Sequence, residues 1–160
     1  MERVVTTESA EATFALGEAL GQRLGAGDVV LLSGPLGAGK TALAQGIARG
    51  LGVPSERRVQ SPTYALCHVH PGRVPLYHLD LYRLADDDEI REAGLEDQLP
   101  ALDGVSVVEW AERMGPSLLP SERVEVIIEV LATATTRRIT MRAVGARAEA
   151  LLGGGLFASG

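Results

Sequence analysis

The first regular pattern along the chain begins near Ser9. Leu16, Leu20 and Leu24 recur every four residues, with Phe14 and Gly17 beside them. That spacing predicts an amphipathic helix from Ser9 to about Leu24, with Ser9 as N-cap and Gly25 as stop. Asp28-Val29-Val30-Leu31-Leu32-Ser33 follows as a continuous apolar run, the pattern of a strand buried on both faces. Helical spacing returns over Thr41 to Leu51 through Leu43, Ile47 and Leu51, and Gly52-Val53-Pro54 ends it. Residues 55–63 are polar and read as an exposed loop. Tyr64 to His70 and Arg73 to Leu81 are expected to pair as a hairpin across Pro71-Gly72, with Asp80 at the far end of the second strand. A short acidic helix over Asp86 to Ala93 stops at Gly94. Val105 to Val108 is a second buried strand, ending in Glu109-Trp110, and Val124 to Val130 and Arg138 to Arg142 are the last strands.

Strand and helix alternate through the first half. This predicts an α/β fold of three layers with a mainly parallel sheet and an antiparallel hairpin. At 160 residues and 46% hydrophobic content the chain suits one domain and is too short for two. That domain is expected over residues 1–148, with 149–160 as a loosely ordered tail. A net charge of −6 is a poor basis for gripping bare DNA or RNA, because phosphate neutralisation needs clustered cations. The single cysteine, Cys67, allows no internal disulfide and fits a reducing compartment. No apolar run is long enough to span a bilayer and the N-terminus lacks the apolar stretch of a signal peptide, so a soluble, cytoplasmic protein with no membrane partner is expected.

Composition adds one sharper observation. The chain has a single lysine, Lys40, and no asparagine. Lys40 sits in Gly34-Pro35-Leu36-Gly37-Ala38-Gly39-Lys40-Thr41, which matches the phosphate-loop pattern in full and lies between a predicted strand and a predicted helix. Gly34, Gly37, Ala38 and Gly39 would turn backbone N–H groups onto phosphate oxygens, and the helix N-terminus would add its positive end. Lys40 would reach the β and γ phosphates, and the Thr41 hydroxyl would be a magnesium ligand. ATP and Mg2+ are therefore the expected ligands; guanine readers commonly use an Asn-Lys-x-Asp block, which a chain without asparagine cannot supply.

Hydrolysis needs a carboxylate at a strand end near the loop. Asp80 and Glu109 are the two candidates, at the carboxyl edge where open α/β sheets bind ligands. One would hold the metal while the other orients the attacking water; the sequence assigns neither. Thr63, in Ser61-Pro62-Thr63-Tyr64, stands where nucleotide switches hold a threonine. His68, His70 and His78 are regularly spaced on strands without a supporting ligand cluster and read as structural rather than as a metal site. Trp110 is a core residue or a stacking surface for nucleotide or partner. Residues near Thr13 and around Ala134 are candidates for the base pocket.

Leu-Gly-Ala-Gly-Lys-Thr, Ser-Pro-Thr-Tyr, Tyr-His-Leu-Asp-Leu-Tyr-Arg-Leu and Val-Glu-Trp, in this order and spacing, resemble the TsaE (YjeE) family of bacterial phosphate-loop ATPases. The resemblance runs from about Ser9 to Met141. It implies ATP and magnesium binding and weak intrinsic hydrolysis. It also implies docking onto a TsaB–TsaD heterodimer whose TsaD subunit is reset during threonylcarbamoyl-adenosine modification of tRNA, with tRNA reached only through that complex. On the resemblance, Lys40 and Thr41 take the loop roles, Thr63 is the switch threonine, Asp80 and Glu109 are the family's acids, and Trp110 is its tryptophan. Pro35 replaces a usual acid, Ala65 a frequent threonine and Ala111 a common proline. A small-molecule kinase is the main rival, but the segment after Asp80 carries only Arg83 and Arg91 among several acids, a poor phosphate lid.

Overall fold

A computed structural model describes residues 1–153. Seven strands form one sheet in the order β1-β7-β6-β2-β5-β4-β3. These are β1 (Glu2–Thr7), β2 (Val29–Ser33), β3 (Cys67–His70), β4 (Leu76–Asp80), β5 (Val105–Glu109), β6 (Arg123–Val130) and β7 (Arg137–Val144). The helices are α1 (Ala10–Gly21), α2 (Lys40–Gly50), α3 (Asp87–Glu92) and α4 (Ala146–Leu152). The four central strands, β6, β2, β5 and β4, run parallel, and antiparallel pairs close both sides: β3 on β4, and β7 on β6 with β1 beyond. The expected α/β architecture and the β3–β4 hairpin are both present.

The unbroken apolar run of β2 has the expected cause. Val30 and Leu32 join Leu43, Ile47, Val107 and Val126 in a core on the α1–α2 face. Val29 and Leu31 join Leu79, Ile90, Leu95, Val108 and Leu118 in a second core on the α3 face. β2, β4 and β5 therefore serve two layers at once.

On the first face, α1 and α2 pack backbone to backbone. Both carry glycines four residues apart, Gly17 and Gly21 on α1 and Gly46 and Gly50 on α2. A Cβ at Gly46 would lie 2.1 Å from the Phe14 carbonyl oxygen, and one at Gly17 would lie 2.4 Å from that of Leu43. α2 starts within the loop between β2 and α2, so this contact also fixes the helical end of that loop.

Several boundaries differ from expectation. β1 was not foreseen: its exposed and half-buried positions alternate, and only Thr7 is buried, so the stretch reads as polar. β3 begins at Cys67 rather than Tyr64, because Leu66 adopts φ 70° and breaks the extended run. α4 occupies residues 146–152, including 149–152 that were assigned to the tail, because Ala148 and Leu152 bury their side chains in the first core. The remainder of the expected tail, 154–160, lies outside the described residues. No helix among the described residues is long and apolar enough to cross a membrane.

Candidate functional site

The loop between β2 and α2 takes the shape its glycines permit. Gly39, the N-cap of α2, has φ 112°, a left-handed conformation costly for other residues. Gly34 lies so close to β6 that a Cβ would stand 2.7 Å from the Ile128 carbonyl oxygen. The first N–H groups of α2 have no partner within the helix and carry its positive end.

Lys40 is buried at the root of this loop, 5% exposed. Its ammonium donates to the carbonyls of Gly34 at 2.5 Å and Pro35 at 2.9 Å. It also lies 4.0 Å from the centroid of the Trp110 ring, a cation–π distance. Burial pulls its pKa below the ordinary lysine value, and Glu112, Glu109 and Asp80 oppose that shift. Trp110 holds this position with φ 60°, ψ 40°, left-handed for a bulky residue. Tyr82 packs on it at 4.9 Å between ring centroids.

The parallel register places Asp80 directly beside Glu109 on adjacent strands. The two carboxylates have different partners. Glu109 accepts from Ser61 Oγ at 2.8 and 3.0 Å, from Thr41 Oγ1 at 3.5 Å and from His78 Nε2 at 2.6 Å. Ser61 and Thr41 hydroxyls are 2.6 Å apart. Asp80 accepts from Thr63 Oγ1 at 3.0 Å and from the Tyr82 N–H at 2.8 Å. Both carboxylates are 2% exposed; Glu109 forms a hydroxyl–carboxylate net with Ser61 and Thr41, and Asp80 pairs separately with Thr63.

A cleft of about 460 Å3 opens over this net. It is lined by Gly37, Gly39, Lys40, Thr41, Thr63, Asp80, Glu109 and Trp110 from the sequence reading, and also by Leu36, Ser61 and Tyr82. Gly34 and Ala38 sit in the loop itself. Thr13 is buried beneath the loop, with its hydroxyl 2.8 Å from that of Thr7. The Ala134 carbonyl, in the β6–β7 turn, accepts from Arg137.

Sequence reasoning missed four contributors. Ser61 was visible only as a neighbour of Thr63. His78 shares a strand face with Asp80 by the two-residue period, a signal that was available, yet it was read only as a strand histidine. Glu112 accepts from the Gly34 N–H at 3.4 Å. Arg137 donates to the Ala38 carbonyl at 2.7 Å and the Gly37 carbonyl at 3.4 Å, from 99 and 100 residues away, and no local pattern announces it.

The donor set suits magnesium. It consists of hydroxyl and carboxylate oxygens, the ligands this hard cation takes. Among the described residues no group of three or more His, Cys, Asp and Glu forms a cage for a metal. Magnesium sites on phosphate loops need none, since phosphates and waters complete the shell.

The family model described as "Threonylcarbamoyl adenosine biosynthesis protein TsaE" matches residues 7–139. A tRNA threonylcarbamoyladenosine biosynthesis protein TsaE of Treponema pallidum (strain Nichols) is 41% identical over 135 residues, covering 84% of this chain and 96% of that protein. Its counterpart in Bacillus subtilis (strain 168) is 43% identical over 126 residues, covering 78% and 75%. Among solved structures, Bacillus subtilis YdiB aligns with a TM-score of 0.79 and 34% identity, over 94% of this chain and 91% of that one.

Proposed function

The chain belongs to the TsaE family of tRNA threonylcarbamoyladenosine biosynthesis proteins, and from that premise we infer that it is a weakly hydrolysing, Mg2+-dependent ATPase acting with TsaB and TsaD. One observation carries the reading. Thr41, Ser61 and Glu109 converge beside the buried Lys40, under a loop whose glycines and helix N-terminus form an anion cradle.

The triphosphate would lie along the loop, its oxygens accepting from the first N–H groups of α2. Lys40 would redirect its ammonium from the Gly34 and Pro35 carbonyls to the β and γ phosphates, an anionic acceptor in place of neutral ones. The metal would sit against Thr41 Oγ1 and the Glu109 side of the net, where it would neutralise charge developing between the β and γ phosphates. The division of labour follows the hydrogen bonds: Glu109 shares its hydroxyl partners with Thr41, whereas Asp80 pairs with Thr63 one strand further out. Asp80 and Thr63 would therefore orient the attacking water. Water oxygen would bond to the γ phosphorus as the bond to the β–γ bridging oxygen breaks, that oxygen leaving with ADP and the water proton passing to the released phosphate. Trp110 would hold the Lys40 ammonium beside the phosphates through its ring face. The net charge of −6 favours reaching tRNA through partners rather than directly.

ATP turnover with and without TsaB and TsaD tests the reading. Lys40→Ala is expected to abolish both nucleotide binding and turnover; a variant that bound and hydrolysed ATP like the parent would overturn the proposal. Asp80→Ala is expected to lose turnover by roughly 100-fold, the scale of a general acid–base contribution, with nucleotide affinity largely kept. Glu109→Ala should weaken Mg2+-dependent binding as well.

A further inference from the structure

Of the arginines in the described residues, only Arg49 and Arg58 have no hydrogen bond, ion pair or ring contact. Both line one cavity of about 240 Å3, between α2 and residues 53–59. Arg57 lines it as well. Its guanidinium is held from behind, since Nε donates to His70 Nδ1 at 2.8 Å and Nη2 to the Val69 carbonyl at 2.9 Å. A guanidinium has five donors, so the two on Arg57 Nη1 stay unspent.

Three cations at one concave site leave a charge to be matched. The chain has 21 acids against 15 Lys and Arg, yet no Asp or Glu lines this cavity. Glu56, the acid between Ser55 and Arg57, is not among the lining residues. The Ser55 hydroxyl adds one more donor, and Gln45 is already committed to the Val59 carbonyl at 2.8 Å. The other walls are apolar, with Phe14, Ala48 and Val53 among them. An apolar hollow with a few convergent donors is the usual form of a small-ligand site. It shares no lining residue with the nucleotide cleft and has about half that cleft's volume, so its ligand is small. A carboxylate brings two oxygens and one charge. A terminal phosphate brings three oxygens and up to two charges, enough to engage more than one guanidinium fork.

We propose that this cavity is a second anion site, taking the phosphate of a small phosphomonoester or of free phosphate between Arg49, Arg57 and Arg58. The body of an ester would lie against Phe14 and Val53. A bound phosphate would bridge α2, through Arg49, to the segment that leads into Ser61 and Thr63, through Arg57 and Arg58. The site does not rest on the ATPase reading.

The test is a titration of 15N-labelled, nucleotide-free protein with inorganic phosphate, followed residue by residue through the amide signals. Amides of Ala48, Arg49, Ser55, Arg57 and Arg58 are expected to shift saturably, while those of residues 34–41 report the glycine loop separately. Shifts confined to 34–41, or the same shifts with sodium chloride at equal ionic strength, would overturn the site. Arg49→Gln combined with Arg58→Gln alters two exposed side chains. It should weaken binding in the cavity at least roughly tenfold, the scale of losing hydrogen bonds to a charged group, and leave the loop shifts as in the parent. Unchanged affinity in this variant would overturn the site, and acetate binding there as tightly as phosphate would overturn the choice of phosphate. Phenyl phosphate distinguishes the sources. Binding roughly tenfold tighter than inorganic phosphate, the scale of burying a small apolar group, assigns the site to a phosphomonoester. Equal affinity assigns it to free phosphate.

Discussion

Arg137 acts on the glycine loop through its carbonyls. Its guanidinium holds the Gly37 and Ala38 oxygens. A peptide unit is planar, so a carbonyl held one way turns the following N–H the other way. Arg137 thereby fixes the direction of the Ala38 and Gly39 donors. Arg137→Met is expected to weaken ATP binding roughly tenfold, the scale of a hydrogen bond to a charged group, without unfolding the protein; calorimetric titration giving the parent's affinity would contradict this. His70 makes a different residue-level prediction. Its pKa falls from 6.5 to about 4 in the fold, chiefly through burial and then through Arg57, His78 and His68. The unfolded chain therefore takes up this proton first as pH falls, so the contribution to stability is complete above pH 6.5 and is lost on acidification toward pH 4. Urea midpoints should fall across that window, and His70→Phe should flatten the slope; equal slopes in parent and variant would refute the assignment.

The α1–α2 pair makes the element-level prediction, and propensity gives it the wrong sign. In an exposed helix Gly→Ala stabilises by about 1 kcal/mol. At Gly46 the new methyl would meet the Phe14 carbonyl at 2.1 Å, and backbone on both sides leaves no side chain to yield. Gly46→Ala should destabilise by about 1–3 kcal/mol, the cost of overpacking, and lower the melting temperature by several degrees. An unchanged or raised melting temperature would mean that the helices separate easily. The four-residue glycine spacing was present in the sequence, but the helical pattern was followed through leucines, which report the core and not the helix–helix contact. β2, β4, β5 and α2 were legible because each has two buried sides or a strong period. β1 and α4 were not: β1 has only Thr7 buried, and α4 contributes just Ala148 and Leu152 before a glycine-rich stretch. In the site, Lys40, Thr41 and the strand-end acids were legible from local pattern. The Ser61–Glu109, His78–Glu109 and Arg137–Ala38 bonds join residues 48, 31 and 99 positions apart, and only the assembled sheet brings them together.

At the scale of the molecule, the last helix closes the core behind the sheet. Leu152 and Ala148 are buried, and Arg147 pairs at 2.6 Å with Asp28, which is itself 4% exposed. Arg23 donates to the Leu151 and Gly153 carbonyls across the same junction. Ending the chain after Gly145 would uncover apolar core and leave a buried carboxylate without its cation, a loss of about 3–5 kcal/mol. Chemical denaturation should show this as a lower midpoint; a midpoint equal to the parent's would show that α4 is dispensable. The strand ends gather the candidate site at one edge, where parallel β2, β4 and β5 deliver loop, Asp80 and Glu109 together. Beneath that edge α1 and α2 touch without a cushion of side chains, so the pair deforms as one stiff body. Compliance near the cleft then belongs to residues 51–66, which are held at Arg57, Val59, Ser61 and Thr63 rather than by a packed helix face.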